Sequence, residues 1–311
     1  MSSKVLGLGT AAMDIVLQCN ALPQNDGFSF INNEKVLPGG SCANVLTALS
    51  KLNVETSLVA KIGDDFYSNN FMFDLKKNSI CSDYVLIDKG GSILHTYITI
   101  GKNGERCIFA NLGKSLLALT EEEVSIDMLK GISVFYTDMF PGKPALKLAK
   151  LCKSNNIKVV FDLECSLGFM NLCGVTKNEI EEMISICDIF CGCSEGMFEL
   201  SGVDEHRKAA EIIFDKYKPN LGVIATCGEK GAIWIDNLGI INVDAFNVKS
   251  IDSTGAGDTF IAGIIYSFLI EKYSKEKALE FACAYAAIKC TQLGGRVEAS
   301  LTDVLNFINN N

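Results

Sequence analysis

The chain of 311 residues is long enough for one large domain or two small ones with a substantial core. Its hydrophobic fraction of 48% and net charge of −9 indicate a globular protein with no general attraction for nucleic acid or anionic membranes. The apolar run at 260–270 is too short to span a bilayer, and the N-terminus lacks the pattern of a secretory signal. We therefore expect a cytoplasmic enzyme that holds any anionic substrate with local groups.

Short β-branched segments alternate with longer amphipathic segments along most of the chain. The pattern predicts strands at 5–9, 56–62, 133–137, 158–162, 188–190 and 222–226. It predicts helices at 41–52, 68–77, 144–153 and 208–217, and in the last third at 259–273, 275–292 and 302–310. This alternation is typical of an α/β fold in three layers, a mostly parallel central sheet with helices on both faces.

Two regions interrupt this alternation. Apolar and polar residues alternate with period two in 28–37 and 96–109, and turns are predicted at Asn32-Asn33 and at 102–104. We expect lid strands within about 12–38 and 94–110, forming a small β-sheet beside the main one. This sheet is a candidate lid or dimer surface of a single domain that covers 1–311.

The thirteen cysteines are scattered, and only Cys187, Cys191 and Cys193 lie close together in the sequence. A zinc site would need further ligands, and the two histidines offer no paired spacing. We therefore expect free, mostly buried thiols and no zinc.

A glycine pattern near the N-terminus, at residues 7–12, resembles a loose dinucleotide-binding loop after a strand. Such a loop should open a helix, whereas here Asp14 and an apolar alternation follow at once. The pattern is therefore a weak candidate.

The most informative segment is 252–258, with the sequence DSTGAGD, followed at once by an apolar run. Its glycines leave backbone N–H groups uncovered where a helix begins, which favours an anion at that place. Asp258 would repel that anion unless it had another role, such as accepting a proton from an attacking hydroxyl. The alternative for Asp258 is a plain helix N-cap.

Two further segments could approach ligands. Gly39 and Gly40 allow close approach of the backbone, and Asn44 could present its amide to a substrate rich in hydroxyls or could only cap the helix. The segment 226–231 follows a buried strand and is either a nucleotide-binding turn or an ordinary hairpin turn.

Together these segments resemble the signatures of the ribokinase family, the PfkB carbohydrate kinases, over nearly the whole chain. The resemblance implies a ribokinase-like fold and transfer of the γ-phosphoryl group of ATP, with Mg²⁺, to a hydroxyl of a sugar or nucleoside. It implies that Asp258 is the base and that Gly255, Ala256 and Gly257 form the anion hole. It assigns Asp14, Gly39, Gly40 and Asn44 to the acceptor and Thr226, Gly228 and Gly231 to the nucleotide.

The chain departs from the family pattern where the family usually has Asn-x-x-Glu for the magnesium–phosphate network. Cys193 and Gly196 occupy those two positions, and Glu195 next to them could act on Mg²⁺ through water. Ser41 stands where ribokinases proper carry a lysine, which argues against ribose as the substrate.

The resemblance also places Asp252 and Thr254 where some relatives bind a monovalent cation. The loop 293–300 would supply the other ligands, so potassium activation is an open alternative.

Two other functions remain open. Residues 104–106 and 110–113 are similar to the adenosine-kinase branch, and Phe28, Phe30 and Phe109 could form a slot for a base. The altered magnesium segment would also suit a non-catalytic relative that senses a sugar or nucleotide.

Overall fold

The computed structural model describes residues 4–102 and 105–311. Residues 103 and 104, which belong to the predicted turn at 102–104 and to the segment 104–106, therefore lie outside the described residues. The strands are β1 Lys4–Leu8, β2 Ala12–Cys19, β3 Ile31–Gly39, β4 Glu55–Ile62, β5 Cys81–Ile87, β6 Leu94–Ile100, β7 Arg106–Asn111, β8 Ile132–Thr137, β9 Lys158–Leu163, β10 Ile189–Gly192, β11 Gly222–Thr226, β12 Ala232–Asp236 and β13 Gly239–Val243. The helices are α1 Ser41–Lys51, α2 Phe66–Lys77, α3 Gly142–Ser154, α4 Leu167–Leu172, α5 Lys177–Ile186, α6 Ser194–Ser201, α7 His206–Tyr217, α8 Ala256–Ile264, α9 Lys275–Cys290 and α10 Leu301–Asn309.

The main sheet has the strand order β13-β12-β11-β10-β9-β8-β1-β4-β5. Neighbouring strands from β5 to β11 are parallel, and β12 and β13 add antiparallel strands at one edge. Val5 and Leu6 of β1 are both fully buried but belong to different hydrophobic clusters, because successive side chains point to opposite faces. Helices α1, α2, α8, α9 and α10 cover one face, and α3 to α7 cover the other. The predicted three-layer arrangement is confirmed.

A second, smaller sheet has the order β3-β2-β6-β7, and we call it the lid. Strands β2 and β6 are parallel, and the other two pairs are antiparallel. The predicted turn at Asn32-Asn33 is wrong, because β3 continues through both residues. Their side-chain amides donate instead to side chains across the strand pair, Asn32 to Asn20 at 3.0 Å and Asn33 to Gln18 at 3.1 Å.

The helix predicted at 259–273 is shorter and changes character. Helix α8 ends at Ile264, and residues Ile265–Ile270 continue as a π-helical turn. Inside α8, a Cβ on Gly263 would come within 2.7 Å of the Ala282 Cα of α9. The small residues of α8 and α9 therefore serve close helix packing.

The site region lies where the chain reverses direction across the sheet. From β1 the chain continues to β4 and β5 on one side, and β8 then pairs with the opposite side of β1. Such a reversal leaves a crevice at the carboxyl ends of the strands, and lid strand β2 begins just beyond the end of β1. In the described ranges, no helix combines the length and apolar character that crossing a membrane requires.

Candidate active site

The first turn of α8 presents backbone donors at the positive end of a helix. Gly255 is the N-cap with φ 77°, and a Cβ there would overlap the carbonyl oxygen of Gly295, so only glycine fits. The N–H of Ala256 donates to the carbonyl of Ser253 at 3.1 Å. Within the described part of the chain, the N–H groups of Gly255 and Gly257 have no such acceptor. Both are available to an anion.

Asp258 lies inside this turn, and the helix N-cap is Gly255. Its side chain is only 5% exposed and accepts a hydrogen bond of 2.7 Å from Asn44 Nδ2. Burial raises the pKa of Asp258 to about 6, while the bond from Asn44 acts in the opposite direction. A carboxylate with this pKa is ionised at neutral pH and still basic enough to accept a proton.

Asn44 is fixed from both sides. It is buried in α1, whose N-cap is Gly40, so it has neither a capping nor a surface role. Arg296 Nε donates to its Oδ1 at 3.3 Å, and the same guanidinium forms a buried ion pair with Asp74 of α2. With its oxygen accepting from Arg296, the amide directs its Nδ2 donor to Asp258.

Asp14 projects from β2 beside the paired glycines. Its Oδ1 accepts a 2.6 Å hydrogen bond from Thr96 Oγ1 of β6, and burial raises its pKa. A Cβ on Gly39 would overlap Asp14 Oδ2, and Gly40 has φ 90° with the Thr10 carbonyl close by. The glycines therefore leave the second oxygen of Asp14 room to face a ligand.

Asp138, at the end of β8, is a buried carboxyl that the sequence analysis missed. It accepts hydrogen bonds from the N–H of Thr10 at 2.9 Å, of Phe140 at 3.1 Å and of Cys42 at 3.2 Å. A Cβ on Gly9 would overlap its carboxylate. The weak dinucleotide pattern has its explanation here, because its glycines serve packing at the end of β1, and a strand follows instead of a helix.

A cleft of about 700 Å³ lies beside α8. Thr226, Gly228 and Gly231 line it together with Gly257. Its further walls include Ala245, Phe246, Val248, Ser253, Ala256, Phe260, Cys283, Ala286, Ala287 and Cys290. The predicted nucleotide-side loop and the predicted anion hole therefore open into one cavity, whose apolar walls and volume suit a nucleotide.

The altered magnesium segment has a structural reason. Cys193 is the N-cap of α6 and its Sγ accepts from the Gly196 N–H at 3.4 Å. A Cβ on Gly196 would come within 2.8 Å of the Cys165 carbonyl oxygen, so no glutamate fits at that position. The segment after β9 occupies the space instead, and it carries Glu164. Glu195 is exposed on the first turn of α6.

Glu164 was not predicted and lies beside Asp258 and Asp162. Its Oε1 is buried and has no hydrogen-bond partner. Burial and the charges of Asp162 and Asp258 raise its pKa well above the usual range, and burial raises that of Asp162 to about 7. An unpartnered buried carboxyl oxygen beside the proposed base fits Mg²⁺, whose positive charge would favour the ionised form of Glu164 and which uses few protein ligands when it binds with phosphates.

Other metal sites find no support in the described residues. No group of three or more His, Cys, Asp or Glu in residues 4–102 and 105–311 is arranged to hold a metal ion by itself. Cys187 and Cys191 are buried free thiols whose pKa is raised by burial.

The oxygens of Asp252 are engaged by the protein itself. Its carboxylate accepts from the N–H groups of Thr254 and Gly294, each at 2.9 Å. Its carbonyl accepts from Lys289 Nζ at 2.8 Å. The arrangement ties the loop before α8 to the loop after α9.

Of the aromatic residues suggested for a base slot, Phe109 lies in lid strand β7. Thr96 pairs with both Asp14 and Ala110, whereas Phe109 pairs with Tyr97, so Phe109 lies on the lid face opposite Asp14. Phe28 and Phe30 precede β3 and form an edge-to-face pair at 5.7 Å, with 83% and 75% of their surface exposed.

Comparison with known proteins agrees with this geometry. The model of the pfkB family carbohydrate kinases matches residues 2–301. The chain is 25% identical to fructokinase-2 of Solanum habrochaites, with 94% of this chain and 92% of the relative covered. It is 26% identical to the ATP-dependent ribose-1-phosphate kinase of Halopiger xanaduensis, with 98% of each covered. The solved structure of Arabidopsis thaliana ribokinase with ribose and ATP superposes with a TM-score of 0.83 at 22% identity over 99% of both chains. The ribokinase-like fold and the family expected from the motifs are thereby confirmed. The chain belongs to the pfkB family of carbohydrate kinases.

Proposed function

We propose that the chain is an ATP-dependent kinase that phosphorylates a hydroxyl of a sugar or sugar derivative, with Asp258 as the general base. The observation that carries this proposal is the buried Asp258, hydrogen-bonded to Asn44, in the helix turn whose residues Ala256 and Gly257 line the large cleft. We treat residues 1–311 as one catalytic domain that includes the lid.

The acceptor hydroxyl would donate its proton to the Asp258 carboxylate as its oxygen attacks the γ-phosphorus. Asn44 donates to one carboxylate oxygen and holds the carboxylate in place for the acceptor. Asp14 accepts from further hydroxyls of the sugar, and the backbone of Gly39 and Gly40 permits their close approach. Together these contacts hold the hydroxyl in line for attack.

The nucleotide would occupy the cleft with its phosphates toward α8. Thr226, Gly228 and Gly231 lie along the cleft, and the N–H groups of Gly255 and Gly257 would stabilise negative charge on the transferring group. In this role Ala256 provides the small side chain that lets the turn approach the phosphates.

Mg²⁺ bound with ATP would neutralise charge on the β- and γ-phosphates. Glu164 would meet it with the unpartnered Oε1, and Glu195 would act through water from the exposed start of α6. In this proposal the carboxylate that the family usually places on the α6 side comes from the end of β9.

A nucleoside acceptor of the adenosine type is the second candidate. The exposed Phe28–Phe30 pair favours it, because such rings could cover a base. Against it, Phe109 lies on the wrong lid face, which leaves the slot without one predicted wall.

We further propose that the lid pairs with a second copy of the chain. The lid exposes large apolar side chains to water, among them Phe109, Ile108 and Ile31, and a partner surface would cover them.

We also assign the enzyme to the cytoplasm, because its cysteines are all unpaired.

The test is ADP release with ATP and Mg²⁺ over a panel of fructose, ribose, sugar acids, sugar phosphates and adenosine. Turnover with a sugar or sugar derivative supports the proposal, and preference for adenosine supports the second candidate. Binding of a sugar without turnover of ATP on any acceptor would instead indicate a sensing protein.

A further inference from the structure

Lys289 is a cation in an unusual place. It lies one residue before the end of α9 and is fully buried. Its Nζ donates to the carbonyl oxygens of Asp252 at 2.8 Å and Gln292 at 3.2 Å. A buried ammonium group requires such partners, because leaving water without them is costly.

These carbonyl groups belong to the loops that position the candidate anion hole. Asp252 begins the segment that runs into α8, and Gln292 begins the loop that brings Gly295 against Gly255. The N–H of Ile251 also donates to the Cys290 carbonyl at 2.7 Å. Lys289 therefore lies at the centre of a junction whose geometry fixes the first turn of α8.

The oxygens of Asp252, the first candidate ligand of a monovalent cation, already have partners at this junction. Both carboxylate oxygens of Asp252 accept backbone N–H groups, and its carbonyl accepts Lys289. An ammonium group offers one positive charge to carbonyl oxygens, as an alkali ion does when carbonyls replace its hydration shell. Asp252 therefore does not fit a bound potassium ion in addition to this lysine, whose ammonium group already occupies its carbonyl.

We propose that Lys289 is a positioning residue that takes the place of a monovalent cation, so that phosphoryl transfer by this protein is independent of potassium. The inference rests on the proposed kinase function. The positive charge of Lys289 holds the Asp252 and Gln292 carbonyls together. It thereby keeps the free N–H groups of α8 directed at the transferring phosphate.

The experiment compares the wild-type chain with Lys289→Met and Lys289→Ala in tetramethylammonium chloride, replaced stepwise by potassium or ammonium chloride at constant ionic strength. We expect wild-type kcat to change by less than about twofold. We expect each variant to lose about tenfold or more in tetramethylammonium, because a small displacement of the phosphate-binding groups is costly, and to recover several-fold in potassium or ammonium. Lys249→Met, which removes an exposed lysine before the same segment, is the control.

Thermal denaturation in the same salts gives a readout that needs no turnover. Potassium should raise the Tm of Lys289→Ala above its value in tetramethylammonium and leave the wild-type Tm unchanged. Activation or stabilisation of the wild type by potassium would overturn the inference, as would variants with full activity, or impaired variants that neither cation rescues. If the wild type phosphorylates no acceptor, the kinase proposal fails, and the Tm comparison still decides on Lys289.

Discussion

Asn44 of α1 donates a hydrogen bond of 2.7 Å to the carboxylate of Asp258 at the start of α8, across 214 residues of sequence. The bond joins the helix that follows the lid to the helix that faces the nucleotide cleft. It orients the acid that we propose as the base, and it sets part of that acid's affinity for a proton.

Asp258→Asn should reduce kcat by about 10²–10⁴-fold, because the amide cannot accept the proton of the attacking hydroxyl. The amide keeps the size of the side chain and can still accept from Asn44. Steady-state ADP release with the preferred acceptor measures the loss. Asp83→Asn, at an exposed position of β5, is the control. Near-native turnover of Asp258→Asn would exclude Asp258 as the base.

The same variant should be more stable than the wild type above pH 6. The folded-state pKa of Asp258 is about 6, above the ordinary 3.8, so the stability that this carboxyl contributes at low pH is lost as pH rises through about 6. Removing the titrating group removes that loss, which is of the order of 1–3 kcal/mol. Melting curves at about pH 5 and pH 8 should show a difference in Tm that grows with pH. An equal or lower Tm of the variant at the higher pH would contradict the raised pKa.

The pH profile of wild-type kcat/KM should have an acid limb near pH 6. Below the pKa of Asp258, which burial raises to about 6, the base is protonated and inactive. Burial also raises the pKa of Asp138 to about 6 and of Asp162 to about 7, so the limb belongs to a group of interacting carboxyls. A limb near pH 4 would show that the site is open to water when it reacts.

Asn44→Ala should move that limb upward by about one pH unit, because a hydrogen bond to an ionised group is worth about that much. The bond from Asn44 lowers the pKa of Asp258, and its loss removes the largest influence that opposes burial. kcat should fall as well, since the carboxylate loses its orientation. Asn155→Ala at the exposed end of α3 is the control. An unchanged acid limb would show that Asn44 does not affect the pKa of the proposed base.

Gly39→Ala should raise the acceptor KM about tenfold or more while changing kcat less, since hydrogen bonds to a charged group contribute about 1.5–3 kcal/mol. The added Cβ would displace the Asp14 carboxylate and break its bond to Thr96. The control is Gly168→Ala in α4, where a Cβ has free space. Unchanged KM values for all acceptors would show that Asp14 does not bind the acceptor.

Glu164→Gln should raise the Mg²⁺ concentration needed for half-maximal activity by about tenfold or more, whereas Glu195→Gln should have a smaller effect. The reason is that Glu164 has a buried, unpartnered oxygen and Glu195 is surrounded by water. Titrating Mg²⁺ at fixed ATP measures both. A larger effect of Glu195→Gln on the required Mg²⁺ concentration would indicate that the α6 segment, and not Glu164, binds Mg²⁺.

The sequence predicted what depends on local pattern. Apolar periodicity predicted strands β1, β4, β8, β9, β10 and β11 of the main sheet. Gly39, Gly40 and Gly255 marked backbone that no side chain may crowd. Long-range pairings gave no such signal. Asp138, Glu164 and Lys289 each have a partner distant in the chain, and the partners of Lys289 are backbone carbonyls. The sequence also does not show whether a single charged residue is buried. The turn at Asn32-Asn33 failed because cross-strand amide pairs outweighed the local turn preference of asparagine.

The lid and the main sheet each contribute residues to the acceptor site that we propose. Asp14 belongs to β2 and Gly39 ends β3, whereas Asn44 and Asp258 belong to helices packed on the main sheet. In the function that we propose, a substrate would have to span both sheets to place a hydroxyl on Asp258 while other hydroxyls reach Asp14. A water molecule could occupy only one of those positions, so such a site would select its acceptor by length before it selects by chemistry.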